Sequence, residues 1–199
     1  MPSRLSLSKQ YAERTLIEYF KLSSIAELSP THLPIPVKDI ADSHYRIYVG
    51  RSTSLVEKLP DSVQKRGLNA SLSGLLLLGQ NVKEIWVAAA EAERSQGRER
   101  FTIAHELGHF LLHSEESVSS SNFFICRTKD VHRTTSSQNK RGKEVEANRF
   151  AAELLMPEQL VEQLAHQWKA SIPKMANLFD VSTEAMGIRL TQLGFLPVL

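Results

Sequence analysis

Two histidines lie four residues apart in the segment His105-Glu106-Leu107-Gly108-His109, which has the pattern HExxH. On a helix, residues i and i+4 share one face, so both imidazoles can bind a single zinc ion. The intervening Glu106 is then placed to act as a general base on a water at that ion. The pattern therefore predicts a zinc site, with His105 and His109 as ligands and Glu106 as the catalytic residue.

The helix that carries this motif is predicted to be buried over most of its surface. At 100° per residue, segment 98–113 is apolar nearly all round and leaves one polar arc, which holds His105, His109, Glu106 and Thr102. Such an arc must line a cleft or pair internally. The alternative to a zinc site is therefore a buried histidine pair that forms internal hydrogen bonds.

A third ligand is expected, because catalytic zinc is usually held by three protein side chains and a water. The metzincin pattern has a histidine six residues after His109, but this chain has Glu115 there. His113 follows His109 by one turn, about 6 Å farther along the helix axis, which is too far for the same ion. His113 is predicted instead to be a cation near the end of the helix.

Glu144 is predicted to supply the third ligand. In the predicted helix 143–156 it shares its face with apolar residues, whereas Glu146 and Glu153 fall on the opposite face, which is expected to meet solvent. A carboxylate directed toward a core is costly unless it is paired or binds a metal. Glu144 is therefore favoured, and Glu146 remains the alternative ligand. Asn148, one turn beyond Glu144, is placed to accept the spare N–H of a ligand histidine.

The rest of the chain has the pattern of an α+β protein without internal repeats. Apolar spacing, prolines and β-forming residues predict helices at 8–20 (with Ser8 as N-cap), 37–42, 158–169, 173–179 and 182–191, a strand at Tyr45–Val49, and a hairpin of Leu72–Leu78 and Lys83–Ala88. Residues 114–142 are predicted to form a loop or lid. The hairpin is expected to offer an edge strand to which an extended peptide could be added.

Several segments together resemble the ImmA/IrrE family of zinc metallopeptidases. They are RERFTIAHELGHFLLH, EANRFAAELLMP, the hairpin LSGLLLLGQNVKEIWV and the C-terminal ANLFDVSTEAMGIRLTQLGF. The resemblance implies a zincin-like α+β fold, in which a small antiparallel or mixed sheet accompanies the HExxH helix, a following Glu-bearing helix and a C-terminal helical segment. It also implies Zn²⁺ on His105, His109 and Glu144, with Asn148 completing an ExxxN variant of the usual ExxxD.

The same resemblance implies an activity and a substrate class. Members of the family cleave a helix-turn-helix transcriptional repressor, which relieves repression of mobile-element or stress-response genes. A zinc-dependent endopeptidase with such a protein substrate is therefore expected. The chain is interpreted as one domain, residues 1–199, with an N-terminal helix at 1–30, a catalytic core at 31–157 and a helix-turn-helix-like segment at 158–199.

Composition limits the possible environments of the protein. The 199 residues are 42% hydrophobic and 23% charged, which excludes global disorder. The longest strictly aliphatic run is only Leu75–Leu78, so no membrane association is expected. The single cysteine, Cys126, can form no intrachain disulfide, which fits a reducing compartment. These features together predict a cytoplasmic location.

The main alternative function is a regulatory module without catalysis, which binds DNA or protein and uses its metal only for structure. The helices at 173–179 and 182–191 have about the lengths of a helix-turn-helix. However, Arg189 is the only cation of the second helix, and 24 basic against 22 acidic residues leave a net charge of only +2. Direct nucleic-acid binding is therefore not expected. The intact Glu106 also argues against a purely structural metal, which has no use for a general base.

Two questions about the site stay open at the level of sequence. A developing oxyanion usually needs a further donor, for which Tyr45, Tyr48, His132 and Arg100 are candidates without a pattern that chooses among them. Cys126 could in principle act as a latent fourth zinc ligand, but an ordinary small residue in a strand-like run is the simpler interpretation.

Overall fold

The structure is a computed structural model that describes residues 4–59, 72–79, 81–117, 123–127 and 138–197. In these residues the chain is α+β and mostly helical. The helices are α1 (Arg4–Phe20), α2 (Val37–Asp39), α3 (Ala89–Arg94), α4 (Gln96–Ser117), α5 (Gln138–Leu155), α6 (Glu158–Trp168), α7 (Ile172–Phe179) and α8 (Thr183–Gln192), and the strands are β1 (Tyr48–Ser52), β2 (Leu72–Leu78), β3 (Lys83–Ala88) and β4 (Phe123–Arg127). None of these helices combines the length and apolar character that a membrane span requires.

The four described strands form one mixed sheet in the order β1-β3-β2-β4. The predicted hairpin is confirmed: β2 and β3 are antiparallel, and the Gly79 N–H donates to the Val82 carbonyl over 2.7 Å. Strand β1 pairs in parallel with β3, and β4 pairs antiparallel with β2. Both hairpin strands therefore lie inside the sheet. The expectation that the hairpin offers a free edge is wrong, because β1 and β4 flank it on either side in the described sheet.

One face of the sheet packs against α4. The alternation of side chains directs Leu76, Ile85 and Val87 toward the buried side chains of Ile103 and Leu107 on that helix. A second, smaller apolar cluster contains Leu55, Leu59, Leu72 and Leu75. The sheet is consequently apolar on both faces, and the HExxH helix rests on the larger of the two clusters.

Helices α4 and α5 approach each other closely at Gly108. A Cβ built there would lie 3.2 Å from both the Cα and the carbonyl oxygen of Ala147, and 3.0 Å from Phe150 Cδ1. Ala147 and Phe150 are fully buried at this contact. A glycine on one helix and an alanine on the other thus set the short separation between the two helices that carry the candidate ligands.

The N-terminal helix is longer than predicted. Helix α1 begins at Arg4, so Ser8 lies within it and is not the N-cap that the sequence suggested. The Ser8 hydroxyl instead donates to the Glu146 carbonyl of α5 over 3.0 Å. Ala12 and Leu16 continue the buried face of α1. The N-terminal helix therefore packs directly on the helix that carries Glu144.

Several predicted boundaries differ from the structure. The predicted strand at Tyr45–Val49 lies three residues later, at Tyr48–Ser52, because a π-helical turn at Ile40–His44 follows α2. The predicted loop 114–142 is wrong in part, since α4 continues to Ser117, β4 occupies Phe123–Arg127 and α5 begins at Gln138. The other residues of that predicted loop lie outside the described part of the chain.

The C-terminal helices follow the sequence prediction, and the turn between them contacts the HExxH helix. Ser182 caps α8, with its side chain accepting a hydrogen bond from the Ala185 N–H. Arg100 of α4 donates to the Asp180 carbonyl over 2.9 Å and to the Ile35 carbonyl over 2.7 Å. The turn between α7 and α8 is thus tied to the first turns of α4.

A buried ion pair joins α8 to α5. Arg189 donates through Nη1 and Nη2 to both carboxylate oxygens of Glu153, over 3.0 and 2.5 Å, and through Nε to the Met156 carbonyl. The prediction that Glu153 faces solvent is therefore wrong. Glu153 lies on the face of α5 opposite to Glu144, as predicted, but α8 covers that face. Arg189, the one cation that α8 could have offered to DNA, is buried in the same contact.

Candidate metal centre

Three side chains of types that bind metal ions converge from two helices. His105 and His109 lie one turn apart on α4, and their Nε2 atoms are 3.0 Å from each other. Glu144 of α5 places Oε2 3.3 Å from His105 Nε2 and Oε1 3.3 Å from His109 Nε2. The ligand atoms of the three residues all lie within 4.8 Å of one another. The structure thus brings together the three side chains that the sequence analysis selected as zinc ligands.

Asn148 holds one of the two histidines. Its Oδ1 lies 2.9 Å from His105 Nδ1, on the side of the ring opposite to Glu144. An amide oxygen can only accept, so Nδ1 carries the proton in this contact and Nε2 presents its lone pair to the centre. This contact is the one that the spacing of Glu144 and Asn148 predicted.

The electrostatics of the centre favour an ionised Glu144 carboxylate beside a neutral His109 imidazole. Partial burial alone would raise the pKa of Glu144, but the contacts with His105 and His109 outweigh it and hold that pKa well below its ordinary value. Burial is the largest cause that lowers the pKa of His109. A carboxylate and two imidazole nitrogens with free lone pairs are the form in which these side chains bind metal ions.

The donor set and spacing fit zinc. Two imidazole nitrogens and one carboxylate form a usual three-ligand catalytic zinc set. Ligand atoms about 2.0–2.1 Å from one tetrahedral ion lie roughly 3.4 Å apart, and the separations of 3.0 and 3.3 Å found here are close to that spacing. His105 and His109 are nearly fully buried, whereas the Glu144 side chain is 40% exposed. The centre is therefore open toward solvent on the α5 side.

Glu106 lies on α4 between the two histidines in sequence and is fully buried. Its carboxylate faces strand β2, where a Cβ built on Gly74 would lie 2.6 Å from Glu106 Oε1. Sequence reasoning did not select Gly74. A glycine inside an apolar strand was the available signal, since such a residue often marks close approach of another group.

His113 and Glu146 form a separate contact beside the centre. His113 Nε2 lies 3.3 Å from the Lys143 carbonyl oxygen and 3.5 Å from Glu146 Oε2. The prediction of His113 as a cation at the helix end is wrong, because α4 continues to Ser117 and burial lowers the pKa of His113. Glu146 is not the solvated charge that was expected either, since only 17% of its side chain is exposed.

The candidate oxyanion donors are mostly engaged elsewhere. Arg100 binds the carbonyls of Ile35 and Asp180, and the Tyr45 hydroxyl lies 2.8 Å from Thr15 Oγ1. Tyr48 contacts Trp86 across the sheet, with ring centroids 5.4 Å apart. His132 lies outside the described residues, as does the side chain of Cys126.

Comparison with known proteins identifies the family of this chain. The family model Peptidase_M78, described as the IrrE N-terminal-like domain, matches residues 82–191, which include β3, α4, α5 and the C-terminal helices. The chain belongs to this peptidase family. The match confirms the family that the sequence resembles, and within it lie the residues of the centre, His105, His109 and Glu144.

A solved structure shows a similar fold. A "Mycobacterium tuberculosis transcriptional regulator" superposes with a TM-score of 0.55 at 17% sequence identity. The alignment covers 96% of this chain and 47% of the regulator, so this chain spans about half of that protein's length. At this identity the similarity concerns the fold alone. A search of curated proteins found no match.

Proposed function

We propose that this member of the Peptidase_M78 family is a zincin-like, zinc-dependent endopeptidase. The observation that carries the proposal is the convergence of His105 Nε2, His109 Nε2 and the Glu144 carboxylate, with separations of 3.0 to 3.3 Å. These three side chains would hold the metal, and their geometry supports zinc over ions that require six oxygen ligands.

The chemistry divides between the metal and the protein. Bound zinc lowers the pKa of a coordinated water and polarises a carbonyl group. Glu106 would accept a proton from the attacking water and donate it to the leaving amine of the cleaved peptide bond. Asn148 would hold His105 in the tautomer and orientation that binding requires.

The proposed substrate is a helix-turn-helix transcriptional repressor, whose cleavage would relieve repression of mobile-element or stress-response genes. This substrate class is what resemblance to the ImmA/IrrE proteins implies. The similarity in fold to a protein that is a transcriptional regulator is consistent with a regulatory role. Because such a repressor acts in the cytoplasm, the proposal places the activity there.

The alternative, a DNA-binding module with a structural metal, has less support in the structure. Arg189 is buried against Glu153, so α8 does not present it to a phosphate. A structural zinc site is normally closed by four protein ligands. Among the described residues three candidate ligand side chains converge, and Glu106 lies between two of them in the sequence, where a general base would be expected.

Cleavage of purified repressors tests the proposal. Zinc-loaded wild type and Glu106→Gln would each be incubated with a panel of helix-turn-helix repressors from the same organism, and products would be read by mass spectrometry. We expect one internal cleavage with the wild type and a loss of at least about 100-fold in rate with Glu106→Gln, since the amide cannot take a proton. Equal cleavage by both proteins, or none by the wild type across the panel, would contradict the proposal.

A further inference from the structure

Gly74 of strand β2 lies directly against the side chain of Glu106. A Cβ on Gly74 would be 2.6 Å from Glu106 Oε1 and 3.2 Å from its Cγ. The same Cβ would be 2.6 Å from Thr102 Cγ2, one turn earlier on α4. Non-bonded carbon atoms prefer separations of about 3.5–4.0 Å. The strand and the helix can therefore adopt this separation only because residue 74 has no side chain.

The sheet is irregular at the same position. Leu72 of β2 lies opposite Arg127 of β4, but Gly74 lies opposite Cys126, so two steps along β2 correspond to one along β4. A register shift of this kind is a break in regular pairing, and such breaks, β-bulges among them, are common beside functional sites. A glycine within a strand also weakens it, so the need for space at Glu106 explains the residue better than strand stability does.

We propose that Gly74 is a positioning residue for Glu106. By having no side chain, it leaves beside β2 the space that the carboxylate of Glu106 occupies. This inference rests on the proposed function, in which Glu106 is the general base. It assigns to β2 a role in the reaction as well as in the sheet.

The geometry predicts how a methyl group at position 74 would act. Glu106 Oε1 is the far end of a flexible side chain, so the carboxylate can move away by rotation without a shift of the backbone. The three atoms nearest to the added Cβ belong to Glu106 and Thr102, not to the metal ligands. The substitution Gly74→Ala should therefore displace the base and leave zinc binding intact.

Kinetics with a matched control test this role. The probe is a library of fluorescence-quenched decapeptides, and the proteins are the zinc-loaded wild type, Gly74→Ala, Gly79→Ala and Glu106→Gln. We expect Gly74→Ala to lower kcat about 100-fold, with KM within about twofold and with the zinc content of the wild type. Gly79→Ala is the control, because its Cβ would meet Val82 Cβ at 3.5 Å, an ordinary contact.

A second variant separates the two short contacts. Gly74→Ala combined with Thr102→Ser removes the methyl group of Thr102 but keeps the contact with Glu106. If Gly74 acts through Glu106, the double variant keeps the low kcat, and adding Gly74→Ala to Glu106→Gln causes no further loss. Recovery of the wild-type kcat in the double variant would overturn the inference, as would an unchanged kcat in Gly74→Ala.

A crystal structure of zinc-loaded Gly74→Ala gives a readout that does not depend on activity. We expect the Glu106 carboxylate to move by roughly 1 Å, while His105, His109 and Glu144 keep their positions. An unmoved Glu106 with a shifted strand would contradict the inference. If the zinc-loaded wild type cleaves no peptide and no repressor, the proposed function fails, whereas the crystal structure still decides whether residue 74 positions Glu106.

Discussion

Two contacts from α5 hold the residues of the centre. Asn148 fixes the ring of His105, and Glu144 lies between the two imidazoles. Because Asn148 and Glu144 are one turn apart on α5, a single helix provides both a proposed direct ligand and the residue proposed to orient another ligand. This arrangement predicts that small changes at position 148 affect metal affinity more than stability.

Asn148→Ala should weaken zinc binding by about 10- to 100-fold, because His105 loses the acceptor that fixes its tautomer. Asn148→Asp is the matched control: a carboxylate also accepts from Nδ1 and should keep the affinity at or above that of the wild type. Competition with a chromophoric chelator measures both values. An unchanged affinity in Asn148→Ala would contradict the role given to this amide.

At the scale of elements, the contact between α4 and α5 decides whether the ligands can meet. His105 and His109 come from one helix and Glu144 from the other, so the distance between the helices sets the distance between ligands. Gly108 and Ala147 lie at the point of closest approach, where an added Cβ would be 3.2 Å from backbone atoms. Backbone cannot rotate away as a side chain can, so an added methyl group should push the helices apart.

Gly108→Ala should therefore lower the free energy of unfolding by about 1–3 kcal/mol, as overpacking usually does, and also weaken zinc binding. Gly187→Ala on α8 is the matched control, since its Cβ would meet only Ile172 Cδ1 at 3.7 Å. In that open helical position alanine should stabilise by about 0.5–1 kcal/mol. Urea denaturation of both variants checks the signs, and a stabilised Gly108→Ala would contradict the account.

At the scale of the whole molecule, long-range contacts join the C-terminal helices to the helices of the centre. Arg100 ties the turn at Asp180 to α4, and Arg189 ties α8 to Glu153 of α5. The segment that resembles a helix-turn-helix in sequence is thus attached to the core, and Arg189, the cation of α8, makes one of these contacts. Arg189 is almost fully buried in this contact, whereas the side chain of its neighbour Ile188 is 54% exposed.

Arg189→Met should destabilise the protein by about 3–5 kcal/mol, because it leaves Glu153 as a buried charge without its partner. Combining it with Glu153→Leu should recover most of the loss, since an apolar pair replaces the ion pair. Urea denaturation with a chelator present measures folding apart from metal binding. A loss below about 1 kcal/mol in the single variant would show that the pair contributes little.

The sequence predicted what depends on local spacing. The i, i+4 pattern of His105 and His109 and the helical phase of Glu144 relative to Glu146 are properties of single helices, and the structure brings these residues together. The hairpin was equally local and was predicted with the same bounds. The burial of Glu153 was missed because its partner, Arg189, lies 36 residues later in the chain.

Other misses also come from tertiary contacts. The place of the hairpin inside the sheet depends on β1 and β4, whose pairing no local pattern reports. The contact of Gly74 with Glu106 joins a strand to a helix and lies where the register between β2 and β4 shifts. Sequence spacing therefore indicated the chemistry of the site, whereas the way β2 and α8 support it required the three-dimensional structure.

The most direct test of the central claim is the zinc content of the purified protein after exposure to excess metal. Wild type, Glu144→Ala and Glu146→Ala would be compared by mass spectrometry of the metal. We expect about one zinc per chain in the wild type and in Glu146→Ala, and almost none in Glu144→Ala, because Glu144 alone of the two carboxylates faces both histidines. A wild type without zinc, or a Glu144→Ala protein that keeps it, would contradict the account.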